Sequence, residues 1–168
     1  EGFKENGSGR HRPGKRGFQY VHVAVDDHSR FAYAEGLPNE LGTTTADFLE
    51  RMACALARKG VRVERVLTDN GGNYRSTAFA AAAGARSIGL RKTRPYRPQT
   101  NGKAERFIQS ALREWAYGWT YQNSAQRTRS LASWQHHYNW HRPHAGIGGA
   151  FPMSRLNSSR NNLLTAHI

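Results

Sequence analysis

The sequence contains a single cysteine, Cys54, among its 168 residues, so no disulfide can form within the chain. It has no apolar run that approaches the roughly 18 residues of a membrane-spanning helix. Its opening residues do not show the pattern of a signal peptide. These absences argue against a disulfide-stabilised secreted scaffold and against a membrane protein. We therefore expect a cytoplasmic protein without a membrane partner.

Acidic residues are scarce, and they are missing from the last third of the chain. No aspartate or glutamate follows Glu114, whereas arginines continue to Arg160. The formal net charge is +13 and the sequence pI is about 10.7. Such an excess of positive charge predicts a polyanionic partner, either a nucleic acid or an acidic surface.

The chain opens with a basic, glycine-rich stretch at residues 1–18, which holds five glycines and five lysines or arginines. This composition is typical of a flexible arm. A plain disordered terminus and an arm that contacts DNA are both compatible with it.

Further along, alternating apolar residues at 20–27 and 30–36 predict a β-hairpin, with the turn at "DDHSR". Residues 43–60 predict an amphipathic helix that starts with a capping box of Thr44 and Asp47. Residues 63–74 predict a short apolar strand that runs into a Gly/Asn turn, residues 76–85 an alanine-rich helix, and residues 86–92 another short strand. Two further helices are predicted at 103–121 and 131–140, and the remainder is predicted to be a tail. This order predicts a mixed α/β sheet covered by helices.

Two carboxylates stand out as candidates for metal chemistry. Asp69 ends a predicted strand, before Asn-Gly-Gly, and the alternative is an ordinary turn residue. Glu105 lies in the first turns of a predicted helix, where compensation of the helix dipole is the alternative role. Brought together, the two side chains would form a Mg²⁺ site suited to phosphodiester chemistry.

Glu105 is also the only acid within a strongly basic stretch. Seven lysines or arginines lie between Arg86 and Arg106. These cations would neutralise and position nucleic-acid phosphates beside a metal site. Composition and pattern alone thus predict a basic α/β domain with a candidate site for a metal ion and phosphate.

Four stretches of the sequence carry a more specific signal. They are "YVHVAVDDHSRFAYAE", "VLTDNGGNYRS", "KTRPYRPQTNGKAERF" and "YNWHRPHAGIGGAFPMSRL". Together they strongly resemble the integrase-type catalytic core of bacterial insertion-sequence transposases, the DDE group, which is related to retroviral integrases and has an RNase H-like fold. Thirty-five residues separate Asp69 from Glu105, the spacing of the second and third catalytic acids in that group. The resemblance runs from about Tyr20 to Leu156.

The resemblance implies DNA strand transfer, in which three carboxylates hold two divalent ions, Mg²⁺ or Mn²⁺. Asp69 and Glu105 would be catalytic metal ligands. It also implies binding to transposon ends and target DNA, a homo-oligomer in the active state, and a bacterial cytoplasmic location. Position and residue type suggest six DNA-binding residues: Arg94, Tyr96, Arg97, Asn101, Lys103 and Arg106. The expected division is an arm at 1–18, an integrase core at 19–122, and a C-terminal helical segment and tail at 123–168.

The sequence departs from the family pattern at the first catalytic aspartate. That residue lies on a central strand upstream of "YVHVAV", and residues 1–18 do not resemble such a strand. Asp26 and Asp27 fall in the predicted hairpin turn, away from Asp69, and a turn role is expected for them. We therefore expect an RNase H-like sheet without its first, central strand.

Either the sheet rearranges or another segment takes the central place. A truncated, inactive transposase copy fits these features. The alternative is a non-catalytic basic nucleic-acid-binding module, in which Asp69 and Glu105 are structural.

Overall fold

The computed structural model describes residues 20–93 and 102–156, together with the backbone of residues 163–167. Its strands are β1 (Tyr20–Asp26), β2 (Ala32–Leu37), β3 (Arg65–Thr68), β4 (Gly89–Lys92) and β5 (Leu163–His167). Its α-helices are α1 (Gly42–Ala57), α2 (Thr77–Ala85), α3 (Gly102–Ala111), α4 (Ser124–Trp140) and α5 (Pro152–Leu156). Short 3₁₀ turns occupy Asn73–Arg75 and Ala145–Ile147, and a π-helical turn, Leu112–Ala116, follows α3.

The five strands form one mixed sheet in the order β2-β1-β5-β3-β4. β1 pairs antiparallel with β2 and with β5, whereas β3 pairs parallel with β4 and with β5. The predicted hairpin is confirmed as β1 and β2. Because β3 runs antiparallel to β1, the end of β3 that leads to Asp69 lies away from the β1–β2 turn.

The central place in the sheet, which the sequence leaves without an obvious strand, is filled by β5. In the register, Thr165 stands opposite Val25 on one side and Leu67 on the other. A segment predicted to be a tail thus supplies hydrogen-bond partners to two strand edges that would otherwise be open. Of the two outcomes considered from the sequence, the second holds: another segment takes the place.

Helices cover both faces of the sheet, and β1 shows why. Ala24 belongs to a core with α1 and α2, whereas Val23 and Val25 belong to a second core with α3 and α4. Successive side chains of a strand point to opposite faces, so one strand serves both cores. Alternate residues of "YVHVAV" therefore lie on two faces of the sheet that are both buried, rather than on one buried and one exposed face.

Helix α4 covers the outer edge of β2 with two polar side chains. The amide of Asn139 accepts from Ala32 N at 2.9 Å and donates to Ala32 O at 2.8 Å. Gln135 accepts from Ala34 N at 2.6 Å. An open strand edge otherwise exposes unpaired backbone groups, so these side chains close one edge of the sheet.

Helix α1 does not begin with the predicted capping box. It starts at Gly42 with Leu41 as N-cap, and no side chain caps it. Thr44 lies inside the first turn and its hydroxyl donates to Asn39 Oδ1 at 2.6 Å. The prediction was wrong because Asn39 engages the Thr44 hydroxyl, which was expected to cap the helix.

The predicted helix at 103–121 ends earlier, and its apolar face shifts. Tyr117 N donates to Leu112 O at 2.9 Å, a five-residue step that defines a π-helical turn. Leu112 is 42% exposed and so lies off the buried face of the helix, while Trp115 is buried. A Cβ at residue 118 would lie 2.7 Å from Glu114 O, so glycine fits best just after this turn.

Helix α4 is longer than predicted. It begins at Ser124 rather than near 131, and the side chain of Asn123 accepts from Gln126 N at 2.9 Å to cap it. Its first half is polar, so hydrophobic periodicity could not reveal it.

Candidate active site and nucleic-acid interface

Asp69 lies where the sequence predicted, just past the C-terminal end of β3. It lines an open groove of about 510 Å³. The lining residues of this Asp69 groove are Glu40, Leu41, Gly42, Asp69, Gly71, Gly72, Asn73 and Tyr74. Glu40 brings a second carboxylate to the groove. No sequence motif indicated it, because it lies in an irregular segment 29 positions before Asp69. The groove is therefore acidic.

The Asp69 side chain is held by the turn that follows it. Gly71 N donates to Asp69 Oδ1 at 2.7 Å. A Cβ at residue 71 would lie 2.6 Å from Asn73 Oδ1 and 2.9 Å from Asp69 Oδ1, so only glycine fits without a shift. Burial raises the pKa of the Tyr74 hydroxyl beside the groove, and the Asp69 charge adds to this, so Tyr74 is a neutral neighbour.

Glu105 lies in the first turn of α3 and is exposed. Lys103, two residues before it, donates to Asp27 in the β1–β2 turn through both the carboxylate and the backbone oxygen. The start of α3 is thus attached to the hairpin turn. Among the described residues, none from α3 lines the Asp69 groove.

Asp26 is the last residue of β1 and Asp27 is the first residue of the turn, so both lie at the hairpin turn, as expected. Asp26 is buried, and its Oδ2 accepts from the backbone N of Ser29 at 2.7 Å and from the Ser29 hydroxyl. Asp27 is paired with Lys103. Arg30 in the same turn has a positive φ of 66° and donates to Asp27 O. Neither aspartate is at the Asp69 end of the sheet.

A two-ion site of the kind implied by the sequence resemblance needs three converging carboxylates. Within residues 20–93 and 102–156, no group of three or more His, Cys, Asp or Glu side chains is close enough to hold a metal ion. Strand β5, which fills the central place, has the sequence LLTAH and carries no acid. The described residues therefore do not fit a complete two-ion site.

A second cavity, of about 490 Å³, lies between the first turns of α3, the β1–β2 turn and the segment after α4. We call it the basic pocket. It is lined by five lysine or arginine side chains and one histidine: Arg30, Lys103, Arg106, Arg113, Arg142 and His144. No carboxylate belongs to its described lining. The predicted DNA-binding residues Lys103 and Arg106 both belong to this pocket.

Hydrogen bonds fix much of the basic pocket in place. Arg142 makes a forked ion pair with Glu114, with Nη2–Oε1 at 2.8 Å and Nε–Oε1 at 3.0 Å. Burial lowers the pKa of His144 and raises the pKa of Tyr138 to about 12, so both are neutral near pH 7. The positive charge of the pocket therefore comes from its lysine and arginines.

Several predicted site residues fall outside the described residues: Arg94, Tyr96, Arg97 and Asn101. The sequence reading missed others, namely Arg30, Arg113 and Arg142 of the basic pocket and Asn139 on the β2 edge. A signal for two of them was present, because Asn139 and Arg142 lie within the quoted "YNWHRPH" stretch.

Two family models, both described as "Integrase core domain", match the chain. One matches residues 86–152, and the other matches residues 9–98, more than half of the chain. This chain belongs to the integrase core domain family. The resemblance inferred from the sequence motifs is thus confirmed, and with it a relationship to proteins of DNA integration and transposition.

The chain is also similar in sequence to an individual viral protein. It is 29% identical over 154 residues to a protein named as an integrase, ORF3 of Spiroplasma virus SpV1-C74, with 83% of this chain and 42% of the relative covered. The chain thus spans about two fifths of the length of this relative.

The fold resembles that of a solved viral assembly. The match is to a chain in the cryo-electron microscopy structure of the simian T-cell lymphotropic virus intasome in complex with PP2A regulatory subunit B56 gamma. The TM-score is 0.71 at 21% identity, with 87% of this chain and 51% of the other covered. At this identity the match concerns the fold, and it confirms the predicted RNase H-like α/β architecture of the integrase core.

None of the helices in the described part of the chain combines the length and the apolar character that crossing a membrane requires.

Proposed function

We propose that the integrase core binds DNA and acts in strand transfer during DNA integration or transposition. The observation that carries this proposal is family membership together with a pocket lined by one lysine and four arginines. The reaction proposed for the assembled protein is the three-carboxylate, two-metal displacement with Mg²⁺ or Mn²⁺. Asp69 and Glu105 are the residues proposed as two of its carboxylates.

The partners proposed are transposon-end DNA, target DNA and further copies of the chain, with the bacterial cytoplasm as the location. The basic stretch around Glu105 supports a DNA partner, because phosphate contacts by lysine and arginine supply most of the affinity for DNA. We retain as proposals the arm at 1–18, the core at 19–122 and the C-terminal segment at 123–168.

We propose further that this chain alone is a poor strand transferase. Described carboxylates do not converge in a group of three, and β5 has no acid to add. Incubated with Mn²⁺ or Mg²⁺ and a labelled transposon end, the full chain is expected to bind the DNA but to release little cleaved 3′-end product. Gel separation of the labelled strands measures this.

The control for that assay is a pair of substitutions, Asp69→Asn and Glu105→Gln, each of which removes one carboxylate charge and keeps side-chain size. We expect the already low product yield to be unchanged in both variants. Efficient cleavage by the unmodified chain, abolished by either substitution, would contradict the proposal that the carboxylate set is incomplete.

A non-catalytic DNA-binding module is the second candidate function. It is favoured by the bond from Gly71 N to Asp69, which gives Asp69 a structural role in a turn. The two candidates differ in their response to metal. If Asp69 is a metal ligand, millimolar Mn²⁺ raises the unfolding temperature of the unmodified chain but not of Asp69→Asn, because a ligand stabilises only the form that binds it.

A further inference from the structure

The basic pocket combines three features of an anion site. It is concave, with a volume of about 490 Å³, within the range of pockets that bind small ligands. Its described lining contains one lysine and four arginines and no carboxylate. It also includes Gly102, the first residue of α3, where a helix presents backbone N–H groups and a positive partial charge.

Existing contacts hold part of this charge in position. Asp27 pairs with Lys103 and Glu114 pairs with Arg142, and these four side chains are between 30% and 41% exposed. Because these cations are already oriented by ion pairs, little side-chain entropy is lost when an anion binds near them. Arg30 donates to a backbone oxygen, so that contact does not neutralise its charge.

Arg106 and Arg113 are the exposed cations of the pocket. They lie seven residues apart along α3 and the π-helical turn, about two helical turns, and both line the same cavity. A rise of about 1.5 Å per residue separates them by roughly 10 Å along the axis. Two cations at this separation can each contact a different phosphate of one strand.

We propose that the basic pocket binds the phosphodiester backbone of DNA, with Arg106 and Arg113 contacting phosphates. Arg30 adds a further positive charge, and the ion-paired side chains of Arg142 and Lys103 form a fixed wall. This inference rests on the proposed DNA-binding function and locates it on α3 and the segment after α4. The contacts are to phosphate, so the pocket positions DNA without reading its sequence. It is separate from the Asp69 groove, with which it shares no lining residue.

The test is fluorescence anisotropy of a labelled DNA duplex titrated with the full chain, using the double variant Arg106→Gln with Arg113→Gln. Loss of two phosphate contacts is expected to weaken binding about 10- to 100-fold and to reduce the slope of log K against log salt by about 1.8. The matched control, Arg58→Gln with Arg62→Gln, removes the same charge from exposed positions outside the pocket. It is expected to change the affinity by less than about threefold.

Both doubles are checked by thermal unfolding, and Arg106→Lys with Arg113→Lys restores the charge and is expected to recover most of the affinity. Equal losses in the pocket and control doubles would overturn the pocket while leaving DNA binding intact. No binding by the unmodified chain would overturn the proposed function itself. Inorganic phosphate at millimolar concentration is added as a competitor. If it displaces the labelled duplex as effectively as unlabelled DNA does, the assignment of the pocket to a DNA strand is overturned. If phosphate does not displace the duplex, the assignment is supported.

Discussion

A Thr165→Pro substitution in β5 is expected to lower the free energy of unfolding by about 3 kcal/mol or more, a large part of the 5–15 kcal/mol typical of a domain. Thr165 stands between Val25 and Leu67 at the centre of the sheet. Proline removes a ladder donor and fixes φ, so it disturbs the pairing with both neighbouring strands. Urea unfolding followed by circular dichroism measures the effect.

The matched control is Thr165→Val, which keeps the backbone donor and the β-branched shape that suits a strand. It is expected to leave the free energy of unfolding within about 0.5 kcal/mol of that of the unmodified chain. If Thr165→Pro and Thr165→Val unfold at the same urea concentration as the unmodified chain, β5 does not occupy the central place in the sheet.

An Asn139→Leu substitution in α4 is expected to destabilise the protein by about 2–6 kcal/mol. Asn139 is 3% exposed and its amide bonds to both Ala32 N and Ala32 O, and Ala32 is itself fully buried. Leucine fills a similar volume but leaves a buried donor and a buried acceptor unsatisfied, at about 1–3 kcal/mol each. Thermal and urea unfolding both measure this.

Gln135→Leu provides the comparison on the same helix. It removes one bond, to Ala34 N, from a half-buried position where water can replace it. Its effect is expected to be about 1 kcal/mol, smaller than that of Asn139→Leu. Equal effects of the two substitutions would show that the Asn139 amide does not close the β2 edge in the way described.

Sequence patterns predicted the parts of the fold that depend on local alternation along the chain. The hairpin followed from "YVHVAVDD" and is confirmed by the pairing of β1 with β2. The position of Asp69 at a strand end was also predictable, because one short apolar run precedes it. These features depend on residues close together in the chain.

The features that the sequence did not predict depend on distant partners. The β5 segment is five residues long, and its place is set by β1 and β3, about 140 and 100 residues earlier in the chain. The basic pocket draws on three separate stretches, around Arg30, Arg106 and Arg142, and only the middle one was recognised as basic and DNA-binding. No local pattern could show that the fold brings the three together.

The spacing of the two carboxylates supports the family assignment, whereas their role as metal ligands stays a prediction. Their 35-residue spacing identified the family, since it is a property of the chain. Whether two side chains meet depends on the path of α3 across the sheet, and Lys103 ties the start of α3 to Asp27 in the β1–β2 turn. Spacing alone could not predict that attachment.

The most direct measurement of the central claim, that this integrase core holds DNA through its lysines and arginines, is the salt dependence of DNA binding by the full chain. Affinity for a labelled duplex would be measured from about 50 to 200 mM salt, without divalent metal. The account predicts tight binding at low salt and a slope of log K against log salt of about −3 or steeper, corresponding to three or more neutralised phosphates. No binding at low salt, or a slope near zero, would contradict it.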